Sequence, residues 1–572
     1  MSSKQYGLDF HLFKEQVNRD LEGFIKEVPG QKINVAFPSF LRNFVIQLIN
    51  PTLKEKYISG FIECPSIKES TGSAVLAVIT PADRETVEEI CQIFKKVPNY
   101  TKILLPIPRV TPLIQQVIED SEYKPVYSAI PQKDCPTSIW VHEFHADFIS
   151  IDADFFLMPC IRTFYQVNIE NDFNDLYSSA RALSKIQSVY GIIPQVFTIG
   201  TAANRVLELM NGIINQAGLS STALPQIHSL ILIDRSVDMV TPLMTPCSFE
   251  GLVDEYLDIS YGICSVDNMN FRFSEKDSVL SEIRQLPIEA VGRRISEMIS
   301  TVKMASDDIE NLKNYSVVES KDKYFSYLKL ADSVGLIQNT QKLHEIILEK
   351  FFKENPQQTL VQKEMELIEN RKSILDYAEG YVTILNDWLS ALRLICLESA
   401  VGISHSDKLI KKIEKEIVSE FGFDAFESLV RLERIKLLSN QQYPGYAQIE
   451  KALHTCEPIG DNDKLYEICD KIVPLTLRLI QKATVGDWPG KWGDPLKDRG
   501  IPVGKVGEEP PNQGSDEVRR ILVFFIGGIT LSEADYIREL GKNISGGKIQ
   551  YIIGSTNKIN CKDLMHELCK FV

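Results

Sequence analysis

The chain opens on one apolar stripe. Phe10, Phe13, Val17, Leu21, Phe24 and Val28 recur at spacings of three and four, which predicts an amphipathic helix. The pattern then shifts to short β-branched or aliphatic runs at 32–37, 73–80, 102–106 and 126–130, with helical periods at 83–96 and 112–121 between them. This alternation predicts a parallel or mixed α/β unit ending near 148–159. After a helix over 171–190, strands at 194–199 and 230–234 enclose a helix over 202–216, which starts a second α/β unit.

Past Tyr261 the strand signal fades, and 287–434 is helical in period almost throughout. One long helix carries Ile295, Ile299, Val302, Ile309 and Leu312 as its inward stripe. A return helix carries Leu336, Leu343, Ile347 and Phe351, and the tip between them at 314–322 is polar. A compact helical cluster over 375–438 holds Trp388, Leu392, Ile395 and Leu397. The Gly- and Pro-rich stretch 486–514 reads as a long loop. The strand signal then returns. Residues 521–526 form a continuous apolar run of the kind a doubly buried strand shows. Gly527 and Gly528 make its turn, Thr530 or Ser532 caps a helix over 531–541, and a strand at 550–554 and a helix at 561–570 follow. The economical reading is one sheet domain interrupted by a helical excursion.

Composition narrows the function classes. At 572 residues the chain has room for roughly four compact units. Its 44% hydrophobic and 24% charged content is ordinary for a globular protein. The net charge of −15 argues against wholesale binding to phosphate backbones, although it leaves room for a local basic patch. The apolar run at 521–529 is far shorter than the roughly 20 residues of a membrane span. The first residues carry charges throughout and show no signal-peptide core. Eleven scattered cysteines without a CxxC pair point to no zinc site and no disulfide framework, and so to a reducing compartment. The glycosylation triplets at Asn99, Asn314 and Asn543 are then chance matches.

Candidate chemistry is sparse. Residues 486–491 and 500–505 lack the GxxxxGK[ST] spacing that cradles phosphate, and no GxSxG elbow occurs. His142 and His145 are three apart rather than four, so they make no HExxH site. Asp234 ends a strand, where α/β enzymes place catalytic carboxylates. A hydrolase or phosphatase using Asp234 and Asp238 is therefore the enzymatic alternative, although an aspartyl-phosphate enzyme wants its second Asp where Ser236 stands.

The stretch LILIDRSVDMVTPL at 230–243 resembles the LLLDRxxDxxTPL block of the SM (Sec/Munc) family, which regulates SNARE-mediated membrane fusion. FEGLVDE at 249–255, YGIIPQVF at 190–197 and VFFIGGITLSE at 523–533 are similar to the vacuolar branch of that family. One departure stands out: the YSGYxPLS-like stretch of that branch is reduced to YEICDKIVPLTLRL at 466–479.

The resemblance implies an α/β protein of three domains in an arch, with two sheet domains and a long helical insertion splitting the second. Its parts would be an N-terminal α/β domain at 1–155 and a split α/β domain at 156–245 and 484–572. A helical hairpin subdomain at 246–375 would serve as a SNARE template, and a helical subdomain at 376–483 would bind a tethering partner. It further implies no catalysis, no cofactor, no metal and no nucleic acid. The expected partners are SNARE proteins, a helical-solenoid subunit of the vacuolar protein sorting 16 type and other HOPS or CORVET subunits. The expected place is cytoplasmic, peripheral and indirect on late endosome, lysosome or vacuole membranes.

On this reading Asp234, Arg235, Asp238, Thr241, Pro242, Glu250, Gly251 and Asp254 form a structural motif, with ionic pairing easy around Arg235. Arg293, Lys303, Lys313, Tyr315, Lys321, Tyr324 and Tyr327 lie off the inward stripe and are candidates to face a SNARE. Trp388, Leu392, Phe421, Phe423 and Phe426 are candidates to face the tethering partner, although some must be core.

Overall fold

The computed structural model describes all residues except 1–7, 29–31, 68–73, 128–136, 219–224, 311–316, 355–358, 383–386, 404–406, 439–445, 509–517, 545–547 and 570–572. Contacts group the chain into two compact units. One comprises Met1–Ile161, Asn174–Ile186 and Gly554–Asn557, and the other comprises Arg162–Phe173, Gln187–Ile553 and Lys558–Val572.

The first unit carries a six-stranded sheet in the order Ile58–Glu63, Ile33–Phe37, Ala74–Pro81, Tyr100–Ile107, Ser138–Val141, Lys124–Val126. Every pairing in it is parallel. Its crossover helices start where the sequence supplies caps. Asp83 accepts from the Thr86 amide at 2.9 Å, and Thr111, followed by Pro112, accepts from the Ile114 amide at 3.4 Å. Helix Arg84–Lys96 then buries Val87, Ile90, Cys91 and Phe94 against the sheet residues Leu76, Val78 and Leu104. The opening stripe is helix His11–Glu27, with Phe10 and Phe13 packed on Phe148. Strands Ile58–Glu63 and Ser138–Val141 are additions to the sequence reading, and the expected strand at 126–130 ends at Val126 among the described residues.

In the second unit the strands run in the order Val503–Gly507, Gln195–Ile199, Ser229–Asp234, Arg519–Ile526 and then residues 549–553. Ser229–Asp234 lies parallel to both neighbours, with Ile231 opposite Val523 on one side and Phe197 on the other. Leu230 to Ile233 and Leu522 to Phe525 are fully buried, which is why both runs are continuously apolar rather than alternating. Their neighbours in space are remote in sequence. The chain leaves the sheet after Asp234, builds the helical excursion and returns at Arg519. The stretch read as a long loop instead holds helix Asp494–Asp498 and strand Val503–Gly507, which is antiparallel to Gln195–Ile199. Pairing stabilises that strand despite its two glycines, a gain that local composition does not encode.

The excursion has two parts. Helices Ile288–Glu310, Val317–Ala331 and Val334–Glu354 form the first. The return helix expected to carry Leu336, Leu343, Ile347 and Phe351 is Val334–Glu354; helix Val317–Ala331, which takes in part of the stretch read as the tip, precedes it, and between them the Ser333 hydroxyl donates to the Leu330 carbonyl at 2.7 Å. Ile288, Val291 and Ile295 are buried, as are Leu343 and Ile347. Farther out the stripe thins: Val302 and Ile309 are half-buried, and Ile299, expected in the core, is exposed. Leu312 lies outside the described residues. The second part is a single core shared by helices Trp388–Ala400, Asp407–Phe421, Phe423–Arg434 and Cys561–Leu568.

One turn couples backbone freedom to the sheet. Gly200 has φ +94°, and a Cβ there would lie 2.4 Å from the Asp234 Cβ. Gly200→Ala is therefore expected to lower stability by about 2 kcal/mol or more. Gly212→Ala, on an exposed turn of helix Thr201–Gln216 with nothing near its Cβ, should raise stability slightly. Denaturant midpoints of the two variants check both signs.

Candidate functional site

The motif at the end of strand Ser229–Asp234 folds into a buried polar network. Asp234 Oδ1 accepts from the Ser236 amide at 3.0 Å and its hydroxyl at 2.7 Å, and Oδ2 accepts from the Ala202 amide at 2.9 Å. Burial raises this carboxyl above its usual range. Arg235 is fully buried. Its Nη1 donates to Glu533 Oε1 at 3.1 Å and Oε2 at 2.8 Å, while Nε and Nη2 donate to the Asp238 carbonyl at 2.9 and 2.6 Å. Asp238 in turn accepts from the Thr241 amide at 3.0 Å and hydroxyl at 2.6 Å, which sets the short helix holding the buried Pro242.

Glu533 completes the network. Its carboxylate also accepts from the hydroxyl of Thr476 at 2.5 Å and from the amide and hydroxyl of Thr530 at 3.0 and 2.9 Å. Its own amide donates back to Thr530 Oγ1 at 3.2 Å, a reciprocal capping box. The second motif packs alongside. Ser248 Oγ caps helix Phe249–Leu257 through the Gly251 amide at 3.1 Å and lies 2.8 Å from Ser532 Oγ. A Cβ on Gly251 would sit 2.1 Å from that Ser532 oxygen, so only glycine fits there. Glu250 faces Arg284 at 3.9 Å, and Arg284 also reaches Asp535 at 3.5 Å. Asp254 is held by Lys558 at 2.6 Å and by the Ile259 amide at 2.9 Å. Its carboxyl is nevertheless pushed up to about 6, because burial outweighs the lysine.

The eight motif residues are thus brought together: Asp234, Asp238 and Asp254 accept hydrogen bonds from neighbouring donors, and Glu250 faces the Arg284 guanidinium. Asp234 is bonded to the turns around it, and Asp238 to Thr241 and Arg235. The geometry gives no support to a hydrolase or phosphatase centred on the two, since such a site needs them to converge on a shared reacting atom. Among the described residues no group of three or more His, Cys, Asp or Glu is placed to hold a metal ion.

The helical excursion presents the other candidate surface. Arg293, Lys303, Lys321 and Tyr324 are exposed, and Tyr327 is half-buried. Lys313 and Tyr315 lie outside the described residues. Lys323 bridges to Asp308 at 2.6 Å and so ties helix Val317–Ala331 to Ile288–Glu310. Sequence reasoning missed the apolar part of this surface: Ile299 and Met304 on one helix, Phe325 and Leu328 on the other, with Met304 66% exposed. The signal was present in the cluster of Tyr324, Phe325 and Leu328, which share one side of helix Val317–Ala331.

Two tethering candidates are corrected. Trp388 and Leu392 are core residues of helix Trp388–Ala400, which is buried on nearly all sides, and Trp388 Nε1 donates to Glu420 at 2.8 Å. Phe421 is half-buried with its ring edge-on to Trp388, whereas Phe423 and Phe426 are exposed.

A doubly buried parallel sheet, pinned by ionic bonds and carrying exposed helices on a long excursion, defines an α/β frame for helical surfaces. The profile of the Sec1 family matches residues 46–567, and the chain belongs to that family. Its relatives include vacuolar protein sorting-associated protein 33A of Rattus norvegicus, 25% identical over 74% of this chain and 75% of that protein. The vacuolar protein-sorting-associated protein 33 homolog of Arabidopsis thaliana is 24% identical over 97% of this chain and 96% of its own length. The same fold is seen in the SM protein Vps45 in complex with the Qa SNARE Tlg2, with a TM-score of 0.56 at 15% identity over 97% of each chain. The Unc18–syntaxin 1 complex from Monosiga brevicollis gives 0.57 at 14% identity over 97% of this chain and 99% of that one.

Two expectations follow from the network. Arg235→Met leaves Glu533 buried without its cation and should cost about 3–5 kcal/mol, much of it recovered in the double variant with Glu533→Met. A denaturation-based double-mutant cycle measures it. Glu255, which accepts from the Cys561 amide at 3.0 Å, is pushed by burial from 4.5 to about 7. Its neutral form is favoured in the fold, so its contribution is full below about 4.5 and is lost as pH rises through about 7. Glu255→Gln should therefore gain on the wild type between pH 5 and pH 8, read from the pH dependence of the unfolding midpoint.

Proposed function

We propose that this protein binds SNARE motifs on the exposed face of helices Ile288–Glu310 and Val317–Ala331 and holds them helical for assembly into a fusion complex. The observation that carries the reading is an exposed combination on that face: the apolar Met304, Phe325 and Leu328 with the cations Lys303 and Lys321. A SNARE motif is a long amphipathic segment with apolar rows and acidic flanks, and an exposed helix pair of this chemistry takes such a ligand by helix-in-groove contact. Lys321 lies 6.0 Å from the Phe325 ring centroid, so charge and apolar surface are offered together. Solved relatives of the fold in complex with a Qa SNARE and with syntaxin 1 support the same class of ligand.

The finer assignment is membership of a HOPS- or CORVET-type tethering complex, acting at late endosome, lysosome or vacuole. The vacuolar sorting names of the relatives support it. A subunit of the vacuolar protein sorting 16 type is the proposed partner within the complex. With Trp388 and Leu392 in the core, the aromatic anchors left for such a partner are Phe423 and Phe426.

The test is fluorescence anisotropy of labelled syntaxin-type SNARE-motif peptides with the full chain. Phe325→Ala with Leu328→Ala should weaken binding about tenfold or more. Lys303→Glu with Lys321→Glu should weaken it at low salt and flatten its salt dependence, because exposed charges act within a Debye length. Both variants should melt with the wild type. Unchanged affinity in both moves the site off this face.

A further inference from the structure

Two cavities in the second unit meet at Thr245, Glu255 and Cys561, which line both. The inner one holds about 70 Å³ and is walled mainly by apolar side chains, among them Met244, Val361, Met365, Ile368, Ile472 and Val473. The outer one holds about 400 Å³ and mixes charge with apolar surface. Close-packed interiors leave few voids larger than a water molecule, and this pair well exceeds that size.

The inner cavity falls where the sequence departs from the motif of the vacuolar branch. Aligning Pro474 and Leu475 with the Pro-Leu of YSGYxPLS puts Cys469 and Ile472 at the two aromatic positions and Lys471 at the glycine. The backbone there keeps a glycine-like course, with Lys471 at φ +71°. The side chains do not keep the aromatic bulk. Cys469 and Ile472 both line the cavity, so this wall is built from smaller parts than two tyrosines would supply.

The outer cavity carries the charge. Arg393, Lys353 and Lys562 line it. Arg393 is tied down: Nε donates to the Leu243 carbonyl at 2.8 Å, and Nη2 donates to Thr245 Oγ1 at 3.0 Å and to Glu364. Lys353 and Lys562 are exposed and have no ion-pair partner among the described residues. Of the two acids in the lining, Asp387 spends Oδ1 on the Ser390 amide at 3.0 Å, and burial pushes Glu255 up to about 7. Tyr256, Tyr381, Leu360, Leu389 and Met565 add aromatic and apolar wall to the same cavity.

We propose that the two cavities together bind a single-chain anionic amphiphile, a fatty acid or a lysophosphatidate, with its head on Lys353, Lys562 and Arg393 and its chain end in the inner cavity. Leaving water drives the chain inward, and charge-assisted bonds fix the head. Neither lining includes a residue of helices Ile288–Glu310, Val317–Ala331, Asp407–Phe421 or Phe423–Arg434. The proposal therefore rests on neither the SNARE reading nor the tethering one.

The test is titration of the full chain with cis-parinaric acid, a fluorescent fatty acid, followed by displacement below the critical micelle concentration of each competitor. Palmitic acid or palmitoyl lysophosphatidate should displace the probe, and uncharged methyl palmitate should do so at least about tenfold less well. Stronger displacement by palmitic acid assigns a free carboxylate, and stronger displacement by the lysophosphatidate assigns a lipid phosphate. Lys353→Glu with Lys562→Glu should weaken probe binding about tenfold and keep the wild-type melting temperature, since both side chains are exposed. Ile472→Phe should fill the inner cavity and weaken binding to a similar degree. If Ile472→Phe does not fold, the lysine variant decides. Absence of probe binding, equal displacement by methyl palmitate, or unchanged binding in the lysine variant or in a folded Ile472→Phe overturns the proposal.

Discussion

The buried pair of Arg235 and Glu533 spans 298 residues of sequence and joins the two sides of the helical excursion. Both side chains are fully buried, so neither charge is tolerable without the other. The pair is worth having only because its remaining donors and acceptors are filled: the Asp238 carbonyl for the guanidinium, Thr476 and Thr530 for the carboxylate. The chain can therefore leave the sheet after Asp234, but it must return in register. Strand Arg519–Ile526 places Ile526 opposite Asp234, and the capping box at Thr530 then aims Glu533 at Arg235. A second ionic bond, Lys558 to Asp254 across 304 residues, repeats the device at the C-terminal side.

This division of labour explains why the motif block carries so many charged residues and no free carboxylate among them. Its acids hold turns and close a long loop, at positions where an enzyme of similar topology would leave one exposed to substrate. The helices of the excursion are built differently. Ile288–Glu310 buries three residues near its start and few beyond. A surface that leaves apolar side chains such as Met304 and Phe325 in solvent forgoes their burial and keeps them available to a ligand.

Much of the fold was legible in the sequence, for physical reasons that can be named. Runs such as 230–233 and 521–526 are buried on both faces and so contain nothing polar to disguise them. Of the two cap candidates, Thr530 is the one that starts the helix, through its reciprocal bonds with Glu533. Strand Val503–Gly507 was illegible, because glycine and an exposed valine become a strand only when a partner supplies the hydrogen bonds. Ile299 fell on the inward period and yet is exposed, since a stripe reports burial only where a neighbouring element covers it. Trp388 and Leu392 erred the other way: a helix buried almost all round has no outward face for an anchor. The pairing of Arg235 with Glu533 could not be read locally, because both its partners and its energy depend on register set hundreds of residues away.

On the proposed function, the helical excursion and not the sheet frame receives the ligand. Hydrogen–deuterium exchange of the full chain, with and without a bound syntaxin-type SNARE-motif peptide, tests it most directly. New protection is expected in helices Ile288–Glu310 and Val317–Ala331, while strands Ser229–Asp234 and Arg519–Ile526, already closed, exchange as before. Protection confined to residues outside those two helices, with the peptide bound, would contradict it.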